Sequence, residues 1–501
     1  MAASGPTPMG ERHNVLPKIH ELIERVNDAG IRYCHWKSNW NLPRTLEGET
    51  DLDLLIHRRD AHRFRDVLRD LGFAPAVEAG SQVLPAIEHY YALDEATDRI
   101  AHVHAYYRVI SGESLAKNYH FPVEEMLLTN TRQEGRVVVP SAGAELIVFV
   151  LRMLVKHTTP IELGLFVRGW ESFRREVDWL MTPGARDEAL SLLPVWLPQV
   201  STPVFIAAYD ALRQPAPTAR RIVLGVRVRA RLRGLTRHHP TRARLTEIQK
   251  FTTRTAHRLG GTKKKLAPGG GGLVIAVVGP EASGKSTLLS EIERWLGAYY
   301  TVRRIHAGKP PATALTAVPH LLLPMLRALI PDQRSTRVIA GDQTGGQPGR
   351  DGYPLTFAVR SVMLAHERRD VLSRAFARAS NGTIVLCDRY PSSTVGSSEG
   401  AQLAGRPTAH VPVGRWLRAL EARIYADIAA PDLVIHLTAP LDVTLARNAA
   451  RSKTEPEDYV RWRHSLAENL EFGRAPVHKV DTDRPLDDVI RDAKQAIWDA
   501  L

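Results

Sequence analysis

The fold of this chain is decided by the stretch Gly272-Leu-Val-Ile-Ala-Val-Val-Gly279-Pro-Glu-Ala-Ser-Gly284-Lys285-Ser286-Thr287. A short apolar, β-branched run leads into a glycine-rich turn, and an amphipathic segment follows the turn. This spacing is typical of a phosphate-binding loop between a buried strand and a helix. The glycines let successive backbone N–H groups turn toward phosphate oxygens, and the helix N-terminus adds positive charge. The stretch therefore predicts a site for ATP or GTP.

Two side chains of this loop have defined tasks at a nucleotide. Lys285 can reach the β- and γ-phosphates, and the hydroxyl of Ser286 can ligate Mg²⁺. The predicted nucleotide-binding residues are Gly279, Glu281, Ser283, Gly284, Lys285, Ser286 and Thr287. The expected cofactors are accordingly ATP and Mg²⁺.

Four further short apolar stretches predict strands, and helical patterns separate them. The stretches cover residues 301–306, 382–388, 432–438 and 477–481. Short apolar strands that alternate with helices predict an α/β fold in three layers, with a five-stranded parallel sheet covered by helices on both faces. In such a sheet the ligand binds at the C-terminal ends of the strands.

The strand that ends at Asp388 has the form of a metal-binding strand, because its apolar run ends in an acid that can hold Mg²⁺. Arg389 and Tyr390 follow at once. A buried arginine beside that acid needs an anion to offset the loss of its hydration, and a phosphate is a suitable partner. We therefore expect Asp388 to ligate the metal and Arg389 to hold a phosphate.

Residues 273–500 resemble thymidylate kinase and its relatives. Asp388-Arg389-Tyr390 matches the Asp-Arg-Tyr motif of that family, and Arg368 matches an arginine about twenty residues before it. Glu281 lies in the loop where the family carries an acid. The resemblance implies that the substrate-binding residues are Glu281, Arg368, Arg389 and Tyr390.

The same resemblance implies a mobile lid after the fourth strand. Arg447 and Arg451 fall where the lid supplies charge to the transferring phosphoryl group. The implied catalytic residues are Lys285, Asp388, Arg389, Arg447 and Arg451. The implied activity is transfer of the γ-phosphoryl group of ATP to a nucleoside monophosphate such as dTMP.

One part of the second half departs from that family. Ala307-Gly308-Lys309-Pro310-Pro311 replaces the Arg-Glu-Pro-Gly turn, and an insert covers residues 312–355. An alternative acceptor therefore stays open, and the chain would then be a kinase for a sugar or cell-envelope precursor. A further alternative is a nucleotide-gated binding or regulatory protein whose first domain is a degenerate nucleotidyltransferase.

The first part of the chain carries a pair of acids, Asp51 and Asp53, two residues apart on a predicted strand. Alternate residues of a strand point the same way, so both carboxylates can reach one metal ion. With Lys37 before them, they resemble the metal-binding acids of the polymerase-β-like nucleotidyltransferases over residues 14–180. Ser38 replaces a glycine of that pattern, and His102 replaces a third carboxylate. Residues 141–212 predict a helical half that completes an α+β domain.

Residues 213–265 make the protein basic, since they carry sixteen Lys or Arg against one acid. This local charge of +15 compares with +13 for the whole chain, so the remainder carries −2. The segment fits a connector, a helix on an anionic membrane surface, or a nucleic-acid contact. The expected domains are 1–212, a basic linker at 213–272 that ends in a glycine-rich hinge, and 273–501.

The two cysteines cannot form a disulfide framework, which favours a reducing compartment. The N-terminal residues lack the apolar core of a signal peptide, and no apolar run is long enough to span a membrane. We therefore expect a cytoplasmic protein that binds peripherally to the membrane if the basic segment contacts lipid. The expected partners are a nucleotide, a small-molecule phosphate acceptor, the anionic partners of 213–265 and a second copy in a homodimer.

Overall fold

The computed structural model of the protein describes residues 15–78, 84, 86–112, 117–157, 162, 169–214, 219–259, 266–313, 316, 355–394, 397, 399–404, 411–450 and 454–501. The chain divides into two compact units, Met1–Lys264 and Lys265–Leu501. Each unit has its own hydrophobic core.

The first unit is built on a mixed sheet. Its strands are β1 (Tyr33–His35), β2 (Leu52–Ile56), β3 (Ala74–Glu78), β4 (Ile87–Asp94) and β5 (Arg99–Tyr106). They lie in the order β1-β2-β5-β4-β3. Strand β2 is parallel to β5, and the other neighbours are antiparallel. Two hairpins follow, formed by β6 (Val109–Ser111) with β7 (Tyr119–Phe121) and by β8 (Thr131–Glu134) with β9 (Val137–Pro140).

The helices of the first unit cover this sheet and build a second core. They are α1 (Pro17–Asp28), α2 (Leu42–Leu46), α3 (Ala61–Asp70), α4 (Glu124–Thr129), α5 (Ala142–Lys156), α6 (Trp170–Leu180), α7 (Pro183–Trp196), α8 (Thr202–Arg213), α9 (Ala219–Arg231) and α10 (Pro240–Leu259). Helix α5 is apolar on nearly every side, as expected of a helix surrounded by others. The helices expected within 141–212 are thereby confirmed.

The basic segment differs from the expected linker. Leu224, Val228 and Leu232 are buried in the core of the first unit, and α9 packs against α5 and α8. The repeated Arg/apolar pattern therefore places one side of α9 in the core and leaves arginines on the other. Residues 219–232 are part of the first unit, so the prediction of a separate linker at 213–272 is corrected.

The second unit is built on a five-stranded parallel sheet. After the short β10 (Leu266–Pro268), its strands are β11 (Val274–Val278), β12 (Val302–His306), β13 (Ile384–Asp388), β14 (Leu433–Thr438) and β15 (Val477–Asp481). They lie in the order β12-β13-β11-β14-β15, and each pair of neighbours is parallel. Every residue of β11 is buried, which suits the central strand. The predicted parallel sheet is confirmed.

Helices separate these strands. They are α11 (Lys285–Gly297), α12 (Leu355–Ala379), α13 (Val411–Ala426), α14 (Leu441–Ala449), α15 (Glu457–Ala467) and α16 (Leu486–Asp499). Most of the predicted insert, residues 317–354, lies outside the described residues. Among the helices that the structure describes, none combines the length and the apolar character needed to cross a bilayer.

Candidate functional site

The phosphate-binding loop follows β11, which lies between β13 and β14. Gly279 has a φ of +147°, and a Cβ atom there would lie 2.5 Å from the carbonyl oxygen of Leu437. Gly284 has a φ of +90° and directly precedes α11, which begins at Lys285. Only glycine adopts such backbone angles without strain. The loop thus has the backbone that its sequence predicts, with the N-terminus of α11 at its end.

Lys285 is buried at the start of α11. Its ammonium group donates hydrogen bonds to the carbonyl oxygens of Gly279, at 3.1 Å, and Pro280, at 2.5 Å. Burial lowers the pKa of Lys285 to about 8, although the carboxylate of Glu281 acts in the opposite direction. The loop therefore holds a cation whose charge is only partly offset, which favours an anionic ligand.

Asp388 ends β13 and lies opposite Val277 in the parallel ladder. This register places the acid beside the strand that leads into the phosphate-binding loop. Its Oδ2 atom accepts a hydrogen bond from Nη2 of Arg304, on β12, at 3.2 Å. Ser286 and Thr287 lie in the first turn of α11 with exposed side chains. The metal-binding roles of Asp388 and Ser286 stay predictions.

Arg389 has a left-handed backbone, with a φ of +71°. This conformation costs a residue with a side chain about 1–2 kcal/mol, so local contacts must hold it. Its N–H donates to the carbonyl oxygen of Val277 at 3.1 Å, which ties it to the strand of the phosphate-binding loop. Its guanidinium contacts Glu281 in that loop, at 2.5 Å, and Glu399, at 2.7 Å. The strained backbone therefore directs the guanidinium at the loop.

A second arginine, Arg463 on α15, completes this cluster. Its Nη2 atom lies 3.5 Å from Glu281 and 3.3 Å from Glu399, and its side chain is only 7% exposed. Two guanidinium groups and two carboxylates thus form a partly buried, electrically neutral quartet of Glu281, Arg389, Glu399 and Arg463. Burial alone would raise the pKa of Glu281, but Arg389, Lys285 and Arg463 outweigh it and lower that pKa. The carboxyl group of Glu281 therefore stays ionised at neutral pH.

The space beside the quartet is small. A cavity of about 20 Å³ is lined by Gly279, Arg389, Glu399 and Arg463 among others. Such a volume holds about one water molecule. A larger cavity of about 240 Å³ runs along Pro280 and the C-terminal ends of β14 and β15. Both lie at the strand ends where open α/β sheets bind their ligands.

Arg368 and Tyr390, predicted to bind the acceptor, have other contacts. Arg368 on α12 is 2% exposed, and it donates to the carbonyl oxygens of Ala307, at 3.2 Å, and Glu399, at 2.8 Å. The hydroxyl of Tyr390 donates to the carbonyl oxygen of Ala429 at 2.6 Å. Arg368 thus binds two backbone segments that contribute to the surroundings of Arg389, one at Ala307 and one at Glu399. Tyr390 fixes the start of the segment after β13. Their acceptor contacts stay predictions.

The predicted lid arginines are only partly described. Arg447 lies on α14 and donates to the side-chain and backbone oxygens of Thr482 at 3.2 and 2.9 Å. The structure therefore places Arg447 at the end of β15 and not in contact with the quartet. Arg451 lies outside the described residues.

Sequence reasoning missed Arg304, Glu399, Arg463 and the role of Gly308. A Cβ atom on Gly308 would lie 2.6 Å from Cδ of Arg389, so this glycine makes room for the arginine side chain. The altered turn at residues 307–311 was the available signal for Gly308. No spacing distinguishes Arg463 from its exposed neighbour Arg461, and only the fold separates them.

In the first unit, the register between β2 and β5 brings acids and histidines together. Asp53 lies opposite His104, and the side chains of these residues are 3.2 Å apart. Asp51, just before β2, contacts His102 at 2.7 Å. Asp51 and Asp53 therefore point to the same side of the sheet, as the sequence predicts.

The surroundings of this acid pair do not fit a two-Mg²⁺ site. Lys37 places its ammonium group 2.9 Å from Asp53, where it supplies the positive charge that a metal would bring. His102 brings no negative charge. Among the residues that the structure describes, no three His, Cys, Asp or Glu side chains are grouped as metal ligands. Metal binding by Asp51 and Asp53, and nucleotidyl transfer, stay predictions.

Comparison with known proteins relates about half of the chain to nucleotide-binding proteins. It is 26% identical over 235 residues to the uncharacterized ATP-binding protein YghS of Escherichia coli (strain K12), a match that spans 46% of this chain and 93% of that protein. It is 22% identical over 228 residues to the uncharacterized ATP-binding protein YghR of the same strain, spanning 45% and 86%. No family model matches the chain.

A shorter match concerns a named enzyme. The chain is 37% identical over 123 residues to thymidylate kinase of Thermomicrobium roseum, covering 22% of this chain and 53% of the enzyme. A solved structure, deoxyadenosine kinase from M. mycoides with bound dATP, is similar over 45% of this chain and 98% of its own, at 14% identity. Its TM-score of 0.25 is too low to support a shared fold. The sequence matches, with the phosphate-binding loop, show that the chain contains a kinase-like P-loop nucleotide-binding domain.

Proposed function

We propose that the second unit is an ATP-dependent phosphotransferase that resembles thymidylate kinase and transfers the γ-phosphoryl group to a nucleoside monophosphate such as dTMP. The observation that carries the proposal is the left-handed Arg389, whose guanidinium contacts Glu281 inside the phosphate-binding loop at 2.5 Å. This contact holds an anion-binding group beside the loop that we propose binds the triphosphate. The matches to ATP-binding proteins and to a thymidylate kinase support ATP and this acceptor class.

The loop is suited to hold the triphosphate. Backbone N–H groups from Glu281 to Lys285 and the N-terminus of α11 are available to phosphate oxygens, and the ammonium group of Lys285 would exchange its carbonyl partners for the β- and γ-phosphates. Ser286 and Asp388 supply the hard oxygen ligands that Mg²⁺ prefers, once Asp388 releases Arg304. When bound, Mg²⁺ would offset charge on the β- and γ-phosphates.

Arg389 and Arg463 are suited to hold the acceptor phosphate. The two carboxylates of the quartet keep both guanidinium groups in place without an unpaired buried charge. An acceptor phosphate would take the place of one or both carboxylates as the partner of the arginines, which would hold it beside the phosphate-binding loop. Catalysis of this kind is positioning plus charge stabilisation.

A kinase for a sugar or cell-envelope precursor is the second candidate, and the quartet also supports it. A hydroxyl acceptor must lose its proton, and a carboxylate near the phosphate loop can take that proton. Glu281 and Glu399 both lie beside Arg389, and a phosphate acceptor needs no such base. The altered turn at residues 307–311 further separates this unit from the thymidylate kinase pattern.

ADP release with a panel of acceptors tests the proposal. We expect dTMP or another nucleoside monophosphate to stimulate ADP release, and Lys285→Ala to abolish it. Lys479→Ala is the control, because this exposed lysine lies on β15 of the same unit. Stimulation by sugars alone would support the second candidate. Slow ADP release that no acceptor changes would contradict both and favour a nucleotide-gated regulatory protein.

A further inference from the structure

The first unit contains a cavity of about 220 Å³ whose lining includes Lys37 but neither Asp51 nor Asp53. The residues of its lining that matter here are Trp36, Lys37, Tyr106, Lys117, Arg152 and Lys156. Four of these six are cations, and the remaining two are aromatic. No carboxylate is present in the cavity lining that the structure describes. These four cations are half-buried, so their like charges repel each other more strongly than in water, and a bound anion would offset this repulsion.

Helix α5 and the segment after β1 bring three of these cations together. Arg152 and Lys156 are one turn apart on α5, so they share a helix face. Lys37 follows β1, and its ammonium group lies 5.2 Å from the ring centre of Trp36 and 4.8 Å from that of Tyr106. The guanidinium of Arg152 lies 5.4 Å from the Trp36 ring. The aromatic rings hold both cations in place, but they carry no net charge that could neutralise them.

The nearby acids compensate this charge only in part. Asp53 is committed to Lys37 at 2.9 Å. Burial lowers the pKa of Lys156, and Arg152 and Lys37 lower it further, against the opposing effect of Glu162 and Glu176. Both of those acids lie outside the cavity lining. A dianion in the cavity would relieve this repulsion.

We propose that this cavity is a metal-independent binding site for a small phosphorylated ligand with at least two negative charges. Arg152 offers the planar fork that binds two phosphate oxygens, and Lys156 adds a point charge one helical turn away. Lys37 already neutralises Asp53, so no metal ion is needed to bridge that carboxylate and a bound phosphate. The volume is below the roughly 300–1,000 Å³ of sites for larger ligands, which favours a small one.

Calorimetric titration with inorganic pyrophosphate tests the site in the full chain. All variants carry Lys285→Ala, so that the phosphate-binding loop of the second unit does not take up the probe, and the buffer contains a chelator. We expect Arg152→Gln with Lys156→Gln to weaken pyrophosphate binding about 100-fold or more, since each charge-assisted contact contributes strongly. Lys156→Gln alone, which keeps Arg152 on Trp36, should weaken it about tenfold.

The control is Arg63→Gln with Arg69→Gln, which removes two charges from exposed side chains of the same unit. This variant should bind pyrophosphate like the parent. Equal binding by the cavity variant, a requirement for Mg²⁺, or citrate binding as tight as pyrophosphate would each overturn the proposal. Absence of pyrophosphate binding to the parent at millimolar concentration would overturn it as well.

A different observation concerns the outer surface of the basic segment. Five large apolar side chains are exposed there: Val223, Val226, Leu245, Ile248 and Phe251, with exposures of 50, 56, 67, 57 and 46%. On α10, Ala243 and Glu247 are buried, and Leu245 and Ile248 lie on the opposite side of the helix. Apolar side chains among clustered arginines are the composition of a helix that lies in a membrane interface.

We infer that this face binds an anionic lipid surface. The local charge of +15 is complementary to anionic headgroups, and the exposed apolar side chains can enter the acyl boundary. A nucleic acid would use the same arginines but would gain little from exposed valine, leucine and isoleucine.

Co-sedimentation of the full chain with vesicles tests this surface. We expect binding to phosphatidylglycerol vesicles and none to phosphatidylcholine vesicles. Leu245→Ser with Ile248→Ser should weaken binding tenfold or more, because the variant buries less apolar surface in the lipid. Val195→Ser, an exposed valine of α7 in the same unit, should leave it unchanged. The inference would be overturned if the double substitution left the affinity for vesicles unchanged, or if the chain bound DNA more tightly than phosphatidylglycerol vesicles.

Discussion

Replacement of Arg463 by methionine is the sharpest test of the quartet. Arg463 lies 3.5 Å from Glu281 and 3.3 Å from Glu399, in a cavity of about 20 Å³ next to Gly279. Methionine fills similar space without charge. In this variant Glu281 and Glu399 would still pair with Arg389, at 2.5 and 2.7 Å, so neither carboxylate is left without a cation. We expect the free energy of unfolding to fall by about 1–3 kcal/mol.

The effect on activity should be larger than the effect on stability. Two unit charges about 4 Å apart interact with about 4 kcal/mol at a partly buried site, before the cost of desolvation. Loss of one charge-stabilising group typically lowers the rate about 10²–10³-fold. We therefore expect kcat/KM for ADP release with dTMP to fall by about two to three orders of magnitude in Arg463→Met.

Arg461→Met is the matched control. Arg461 lies on the same helix, is 50% exposed and pairs with Glu457 one turn earlier. Its replacement should change unfolding by no more than about 0.5 kcal/mol and leave kcat/KM unchanged. Initial rates and thermal unfolding by circular dichroism measure both quantities. Arg463→Met that folds and keeps half of the parent kcat/KM would refute the role of the quartet, as would an equal loss in both variants.

Three further predictions use other features of the structure. Gly308→Ala should lower kcat/KM at least tenfold with little loss of stability, because its Cβ would lie 2.6 Å from Cδ of Arg389 and displace it; initial rates and circular dichroism check this. ATP binding above pH 8 should take up protons and weaken by up to tenfold per pH unit, because the pKa of Lys285 is about 8 in the free loop and rises beside phosphate; calorimetry in buffers of different ionisation enthalpy measures the uptake, and its absence would contradict the assignment. Phe149→Ala, 1% exposed in α5, should destabilise the first unit by about 3–5 kcal/mol in urea unfolding and leave ADP release intact.

The sheet of the second unit and its loop could be predicted from the sequence because local signals agree there. The apolar run 274–278, the glycines and the start of α11 each favour the same strand-turn-helix unit. Asp388 could be placed beside them because parallel strands end at the same sheet edge.

The quartet could not be predicted in the same way. Glu399 and Arg463 come from segments 64 residues apart, and neither has a local pattern that points to the loop. Arg461 and Arg463 differ only in which side of α15 they occupy, which depends on how that helix packs. The neutral pairing of Arg389 is likewise a tertiary property.

For the basic segment, the sequence contained the correct signal but the prediction followed a different one. Its charge favoured a linker, yet the apolar positions at 224, 228 and 232 carry a helical period that buries them in the first unit. The composition of the segment indicated an exposed, charged connector. The spacing of its three apolar residues indicated instead a helix that packs against the first unit. In the first unit, the β2–β5 register explains the paired contacts of Asp51 and Asp53, but the ammonium group of Lys37 beside Asp53 required the structure.

The most direct test of the central claim follows the label of γ-³²P-ATP in the presence of candidate acceptors, with products separated by chromatography. The proposed function predicts that label appears on a nucleoside monophosphate, such as dTMP, with the parent chain and with Lys479→Ala, and not with Lys285→Ala. Label that appears only as inorganic phosphate, at a rate that Lys285→Ala does not change, would contradict it.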